Sequence, residues 1–180
     1  MHPSQLREQL PGLRRYARAL TGNAWAADDL VQDTLERACD KWRLWSAGTD
    51  LRAWLFTIMH NIHASDLRRT LRQQQLAPTG PWDQEAQKVA DAPSNSDMRL
   101  DLQHCLMQLP QEQRTVLLLV VLEDMSYAEV AAITATPIGT VMSRLSRARS
   151  RLEALMNGPA AKETHSEPAG AQIIPLHGSR

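Results

Sequence analysis

The stretch SYAEVAAITATPIGTVMSRLSRARSRL, residues 126–152, carries two helix-start signals close together. Ser126 and Glu129 form a capping box, in which the hydroxyl and the carboxylate satisfy free backbone amides at a helix start. Thr136 with Pro137 predicts a second start, because a capping hydroxyl then precedes proline at the first helical position. The few residues between these signals allow only a tight turn. The stretch therefore predicts a helix-turn-helix.

The second helix of this motif has an apolar face and a basic stripe. Apolar residues recur at helical spacing at Ile138, Val141, Leu145, Ala148, Leu152 and Leu155. Polar residues share the opposite face, at Thr140, Ser143, Arg144, Arg147 and Arg151. Exposed arginines on a helix are usually only solvated. In a helix-turn-helix, however, the start of the second helix lies in the major groove, where Arg144 and Arg147 can reach guanine edges or phosphates.

Proline, glycine and serine divide the chain into two periodic segments, residues 3–75 and 98–156. Aromatic residues make up 4% of the 180 residues, and β-branched residues do not alternate as they do in strands. We therefore predict an all-α protein with an N-terminal helical bundle and a C-terminal helix-turn-helix domain. Residues 76–97 are predicted to form a flexible linker, and residues 157–180 a disordered tail.

Three helices are predicted in the N-terminal segment. Pro11 suits the opening turn of the first helix, and Gly22 with Asn23 ends it. The second helix should run to about Trp42 and bury an apolar stripe of Ala27, Leu30, Val31, Leu35, Ala38 and Trp42. Asp50 can cap the third helix. The buried side of that helix should include Leu51, Leu55, Ile58 and Ile62.

The second helix also has an acidic face, formed by Asp29, Asp33, Glu36 and Asp40. Such a face repels DNA, so a protein that binds nucleic acid needs a different use for it. Two interpretations remain open at this point. The face is either a solvated surface, which costs nothing, or a contact for a basic protein partner whose charge would set encounter rate and orientation.

The third helix combines a basic end with nearby aromatic residues. The basic residues are Arg68, Arg69 and Arg72, and the aromatic ones are Trp42, Trp45, Trp54 and Phe56. Trp42 and Phe56 are better interpreted as core. Single-stranded nucleic acid is held by aromatic stacking beside a positive track, and an asparagine such as Asn61 is suited to hydrogen bonding a base edge.

Composition excludes several classes of protein. The formal net charge is zero, so overall basicity cannot indicate nucleic-acid binding. Cys39 and Cys105 lack metal-ligand spacing and are predicted to be buried free thiols, and we expect no metal or cofactor. Residues 1–10 have no apolar signal core, and the longest apolar run, 116–122, is too short to span a bilayer. A cytoplasmic protein is therefore expected, and no catalytic residue or phosphate loop stands out.

Taken in order, these segments resemble the extracytoplasmic function (ECF) sigma factors, a group within the sigma-seventy family of bacterial RNA polymerase. The resemblance covers nearly everything from Leu10 to Leu155. It rests on LPGLRRYARALTG at 10–22, AADDLVQDTLERA at 26–38, LRAWLFTIMHNIHASDLRR at 51–69, LPQEQRTVLLL at 109–119 and the 126–152 stretch. It implies an alternative sigma factor that binds core polymerase and directs transcription initiation at a promoter.

The resemblance also implies which residues meet which partner. The β′ clamp helices of core RNA polymerase would meet the second helix at Asp28, Asp29, Gln32, Asp33 and Glu36, and the β subunit is a further implied partner. The minus-ten DNA element would meet Trp45, Ser46, Trp54, His60, Asn61, Arg68 and Arg69. The minus-thirty-five element would meet Thr140, Ser143, Arg144 and Arg147. An anti-sigma factor that covers these faces is implied as a further partner.

Two other functions are compatible with parts of the sequence. A stand-alone helix-turn-helix regulator would bind operators without polymerase, but it needs a dimer interface and leaves the acidic helix without a use. A decoy that copies a sigma factor in order to titrate an anti-sigma factor could dispense with DNA-contacting arginines. This chain keeps Arg144 and Arg147.

Overall fold

The computed structural model describes residues 3–42, 45, 50–76 and 97–157. Over these residues the chain forms seven helices and no strand. They are α1 (Pro3–Thr21), α2 (Ala24–Asp40), α3 (Leu51–Leu76), α4 (Asp97–Met107), α5 (Gln111–Val121), α6 (Tyr127–Thr134) and α7 (Ile138–Asn157). The prediction of an all-α protein with two helical units is confirmed. The predicted linker and tail lie almost wholly outside the described residues.

The junction between α1 and α2 follows the sequence signals. Gly22 has a φ of +71°, a left-handed conformation that glycine adopts without strain and that ends α1. The Asn23 side chain accepts a hydrogen bond of 3.1 Å from the backbone N–H of Ala26 and so caps α2. The chain therefore reverses within two residues, and α1 packs against α2.

The prediction that Pro11 opens the first helix is wrong. Pro11 lies inside α1, which begins at Pro3. A proline in a helix loses one backbone hydrogen bond and crowds the preceding turn. Leu6 and Leu10, in the turns before it, pack against the core, and this burial offsets the loss. Tertiary packing therefore outweighs the local helix-start signal of Pro11.

In α2 and α3 the predicted apolar faces are largely correct. Ala27, Leu30, Val31 and Ala38 are buried in α2, whereas Trp42 lies beyond the end of the helix and is half-buried. The Asp50 carboxylate caps α3 by accepting a 2.8 Å hydrogen bond from the backbone N–H of Arg52. The buried residues of α3 are Leu55, Phe56, Ile58, Met59 and Ile62. Leu51, which was predicted to be buried, is only half-buried.

The helix-turn-helix is present at α6 and α7. The Ser126–Glu129 capping box is complete. The hydroxyl and backbone N–H of Ser126 donate hydrogen bonds to the Glu129 carboxylate, and these lower the pKa of Glu129. Ala135 takes a left-handed conformation in the turn. Thr136 does not cap α7, because its hydroxyl bonds the Thr134 hydroxyl at 2.8 Å while the Pro137 carbonyl accepts the first helical hydrogen bonds. Val141, Leu145 and Ala148 are buried, but Ile138 is exposed, contrary to prediction.

The two helical units pack directly against each other. Helix α1 contacts α4 and α5, and α3 contacts α6. Buried residues of both units, such as Leu13 and Tyr16 in α1 and Val116 and Leu119 in α5, belong to one continuous apolar cluster. We call this the closed arrangement. It brings surfaces together that the sequence assigned to separate domains.

The remaining expectations concern thiols, metals and membranes. Cys105 is buried as predicted, but Cys39 is exposed on α2, because it follows the buried Ala38 on the solvent side of the helix. Within the described ranges no cluster of potential metal ligands occurs. None of the helices there is long and apolar enough to cross a membrane.

The capping box at α6 yields a stability test. Ser126→Ala removes the oxygen that accepts from the Glu129 backbone N–H, so we expect the free energy of unfolding to fall by about 1 kcal/mol. Urea unfolding followed by circular dichroism measures this. Ser150→Ala, at an exposed position of α7, is the matched control and should not lower stability. An equal loss in both variants would contradict the role of the cap.

Candidate polymerase and nucleic-acid interfaces

An acidic surface covers one side of α2. The side chains of Asp28, Asp29, Gln32, Asp33 and Glu36 are all exposed. Gln32 donates a 2.9 Å hydrogen bond to Glu36. Partial burial, followed by the nearby carboxylates of Asp29 and Glu36, raises the pKa of Asp33. The structure therefore brings together all five residues that the sequence assigned to one partner, and it leaves them uncovered.

Trp25 extends this acidic surface and was missed in the sequence analysis. Its side chain is 82% exposed, the highest value among the large exposed hydrophobic residues of the described chain. Residues 25, 29, 32 and 36 follow helical spacing, so Trp25 lies at the N-terminal end of the same stripe. That spacing was the signal that could have found it. An exposed tryptophan is typical of a protein-binding surface.

Three tryptophans cluster where α3 begins. The rings of Trp42 and Trp45 lie 4.7 Å apart between centroids, and Trp42 meets Trp54 edge-on at 6.0 Å. All three are half-buried. Trp54 packs against the core, so only part of its ring is available to a ligand. Ser46, predicted to lie beside Trp45, falls outside the described residues.

Further along α3, three predicted minus-ten residues line a cavity. His60, Asn61 and Arg68 contribute to its wall, and we call them the α3 face. His60 is half-buried, while Asn61 and Arg68 are exposed. Arg69 is separate from this group, because it forms an exposed ion pair of 3.4 Å with Asp66 one turn away. The α3 face lies about 10 Å along the helix from the tryptophan cluster, at about 1.5 Å per residue.

The predicted minus-thirty-five residues lie on the first turns of α7. Arg147 is exposed, and a side chain at Gly139 would meet nothing within 4 Å, so this surface is open to a large ligand. Ser143 donates to the Thr140 carbonyl at 3.0 Å. Arg144 is only 21% exposed and forms a 2.5 Å ion pair with Glu112 of α5. Of the four predicted contacts, which we call the α7 face, Arg144 alone is held by an ion pair.

The α3 face and Arg144 of the α7 face line the same cavity, of about 450 Å³. The remaining walls come from α5 and α6, including Gln111, Thr115 and Thr134. The sequence predicted both sets of residues but gave no sign that they would face each other. In the closed arrangement each set therefore partly covers the other.

Two histidines of α3 lie at this junction, and their pKa values are lowered there. Gln111 of α5 hydrogen-bonds the Nδ1 atom of His63 at 2.7 Å across the two units. Burial, with smaller contributions from Arg114 and His60, lowers the pKa of His63 to about 4, while Asp66 opposes this. Burial, followed by Arg144 and Arg68, also lowers the pKa of His60.

Known protein families match both helical units of this chain. The family model for the sigma2 domain of PhyR matches residues 6–60, and the model for sigma-70 region 4 matches residues 99–152. The ECF RNA polymerase sigma factor EcfG of Rhodopseudomonas palustris (strain TIE-1) is 39% identical over 157 residues, which cover 86% of this chain and 84% of that protein. The chain belongs to the ECF sigma factors. It is thus an alternative sigma factor that directs transcription initiation, and it is not an enzyme.

Solved structures bear on the decoy alternative. The sigma factor RpoE of Bartonella quintana, in complex with the anti-sigma factor NepR, is 35% identical with a TM-score of 0.71, covering 86% of this chain and 95% of that one. The anti-anti-sigma factor PhyR from the same organism is 18% identical with a TM-score of 0.53, covering 81% of this chain and 48% of that one, and so shares the fold alone. Because similarity to ECF sigma factors is much greater, the decoy alternative is not favoured.

The half-buried His60 and His63 predict a dependence of stability on pH. A histidine whose pKa is lower in the folded state than its unfolded value of 6.5 stabilises the fold fully above pH 6.5, and this stability is lost as the pH falls toward the folded value. We expect the free energy of unfolding to fall by about 1 kcal/mol between pH 7 and pH 5 through these groups.

Urea unfolding at both pH values measures this loss. His63→Gln should show a smaller loss between the two pH values than the parent chain, because it no longer titrates. His104→Gln, at an exposed position of α4, is the control and should keep the parent slope. An identical slope in all three proteins would contradict the role of the junction.

Proposed function

We propose that the acidic surface of α2, with Trp25 at its end, is where this sigma factor binds core RNA polymerase. Its occupant would be a basic surface, which the family assigns to the β′ clamp helices. Supporting this, five polar or acidic side chains are exposed together on α2. Charge complementarity of this kind steers encounter and fixes orientation, and an exposed tryptophan at the end of the surface adds affinity.

We further propose that α3 holds the melted minus-ten strand. The contacts would be Trp45, Ser46 and Trp54 near the start of α3, then His60, Asn61, Arg68 and Arg69. Supporting this, the tryptophans cluster at one end and the arginines lie toward the other, which combines a stacking surface with a positive track. Asn61 is exposed and free to present its amide to a base edge.

The minus-thirty-five element would be read by α7 through Thr140, Ser143, Arg144 and Arg147. Supporting this, these residues occupy the start of the second helix of a helix-turn-helix, which is the part that enters the major groove. Arg147 is exposed, whereas Arg144 must leave Glu112 before it can reach DNA. The DNA itself supplies replacement charge in its phosphates.

The proposed division of the chain follows these roles. Residues 3–75 would bind polymerase and the minus-ten element, residues 98–156 would bind the minus-thirty-five element, and residues 76–97 would link them. An anti-sigma factor is proposed as a further partner, because the similar RpoE was solved in complex with one. We place the protein in the cytoplasm, where its polymerase acts. The β subunit of polymerase is a further proposed contact.

Reversing a charge on the acidic surface tests the polymerase contact. We expect Asp33→Arg to weaken binding to core polymerase by about tenfold or more, because it places a cation opposite a basic surface, while circular dichroism stays unchanged. Glu8→Arg, an equal charge reversal at an exposed position of α1, is the control and should bind normally. Unchanged affinity in Asp33→Arg would refute this use of the acidic surface.

Removing one arginine tests the minus-thirty-five contact. We expect Arg147→Ala to lower promoter-specific transcription by about tenfold, since one good base contact is worth about 1–3 kcal/mol, and to leave core binding intact. The control is Arg149→Ala, also exposed on α7 but outside the α7 face. Transcription reconstituted with core polymerase on genomic fragments provides the readout. Equal loss of transcription in both variants would rule out a specific contact.

A further inference from the structure

One buried carboxylate joins the two helical units. Glu123 follows α5, and its side chain is completely buried. Its Oε1 accepts hydrogen bonds of 3.1 Å and 2.9 Å from Nε and Nη2 of Arg15 in α1. Its Oε2 accepts a 2.9 Å bond from Nη2 of Arg52 in α3. We call these three residues the clasp. Both cations come from the N-terminal unit and the anion from the C-terminal unit.

Neighbouring groups support the three-residue contact of the clasp. Arg15 also donates to the Leu122 carbonyl at 3.3 Å, and Arg52 donates to the Glu123 carbonyl. A Cβ atom at Gly12 would lie only 3.2 Å from Oε2 of Glu123, so glycine permits the carboxylate to approach α1. Arg15 and Arg52 remain partly exposed, with 53% and 36% of their side chains accessible, so they can change partners.

The closed arrangement that the clasp holds is incompatible with binding both promoter elements at once. The α3 face and Arg144 line one cavity of about 450 Å³. The two promoter elements lie about 25 base pairs apart, which is about 85 Å of B-DNA. The two units must therefore separate before both elements can be bound.

The proposed polymerase contact, unlike the two DNA contacts together, is accessible in the closed arrangement. The acidic surface of α2 is fully exposed in the closed arrangement, and the clasp uses no residue of α2. The closed chain can therefore bind polymerase but cannot bind both promoter elements. This difference in accessibility gives the two binding events an order.

We propose that the Glu123 clasp is an autoinhibitory contact, which holds the two DNA-binding faces of the unbound chain too close together to bind both promoter elements until Arg15 and Arg52 release the carboxylate. The proposal rests on the DNA contacts proposed above. Release leaves a buried anion that must reach water, so opening the clasp and separating the units are one event. Polymerase binding to α2 would come first, and opening would follow on the polymerase.

The distance between the two units tests the proposal directly. The exposed Cys39 of α2 and Ser150→Cys on α7, in a chain carrying Cys105→Ala, accept a pair of spin labels. The parent chain should give one short distance. Glu123→Gln and Arg15→Gln should each raise the proportion of long distances by about tenfold. Arg7→Gln, an exposed position of α1, is the matched control and should match the parent.

A second measurement links opening to inhibition. Without polymerase, Arg15→Gln should bind a labelled promoter duplex, chosen by the transcription assay, several-fold more tightly than the parent, and added Arg147→Ala should abolish the gain. Unchanged distances in Arg15→Gln would overturn the proposal, as would opening without tighter DNA binding. Arg15 is half-exposed, so this variant remains informative if Glu123→Gln does not fold. Failure of the proposed contacts would appear separately, as normal activity in Asp33→Arg and Arg147→Ala.

Discussion

A carboxylate that is removed from water must be paired, and the position of Glu123 makes this requirement the link between the two halves of the chain. Its partners Arg15 and Arg52 belong to two different helices of the N-terminal unit. Both oxygens are satisfied only when α1 and α3 stand in one orientation relative to the end of α5. The same contact that satisfies a buried charge therefore fixes which surfaces of the two units face each other and which stay open.

Local signals predicted the helices, because each depends on residues only a few positions apart. The capping box at Ser126 and the left-handed Gly22 are examples. The prediction from Pro11 was wrong because the packing of Leu6 and Leu10 against the core, which no local pattern indicates, extends α1 to the N-terminal side of Pro11. The clasp was not predictable for the same reason. Its partners are separated by 108 and 71 positions in sequence, so nothing near Glu123 marks it as more than a turn residue.

The candidate site was predicted residue by residue but not as an arrangement. Helical spacing correctly placed the acidic residues on one face of α2 and the basic residues at the start of α7. It could not show that Arg144 is paired with Glu112, nor that it lines a cavity with Asn61. Those facts depend on the packing of α3 against α6, which is set by shape and buried charge over long separations. Trp25 was within reach of the spacing rule and was overlooked because it is not acidic.

A closed form that holds the two DNA-binding faces together has a quantitative consequence for how such a factor works. If the closed form outnumbers the open form tenfold, the apparent promoter affinity of the free chain is about tenfold lower than that of the open chain, or about 1.4 kcal/mol. Polymerase removes that penalty only if it binds the open form more tightly than the closed one, since equal affinity for both forms leaves the closed–open equilibrium unchanged. The acidic surface of α2 is already exposed in the closed form and shares no residue with the clasp, so binding there supplies attachment without selectivity. The selective contacts must therefore involve surfaces that move when the two units part, and the half-exposed guanidinium groups of Arg15 and Arg52 lie on that boundary.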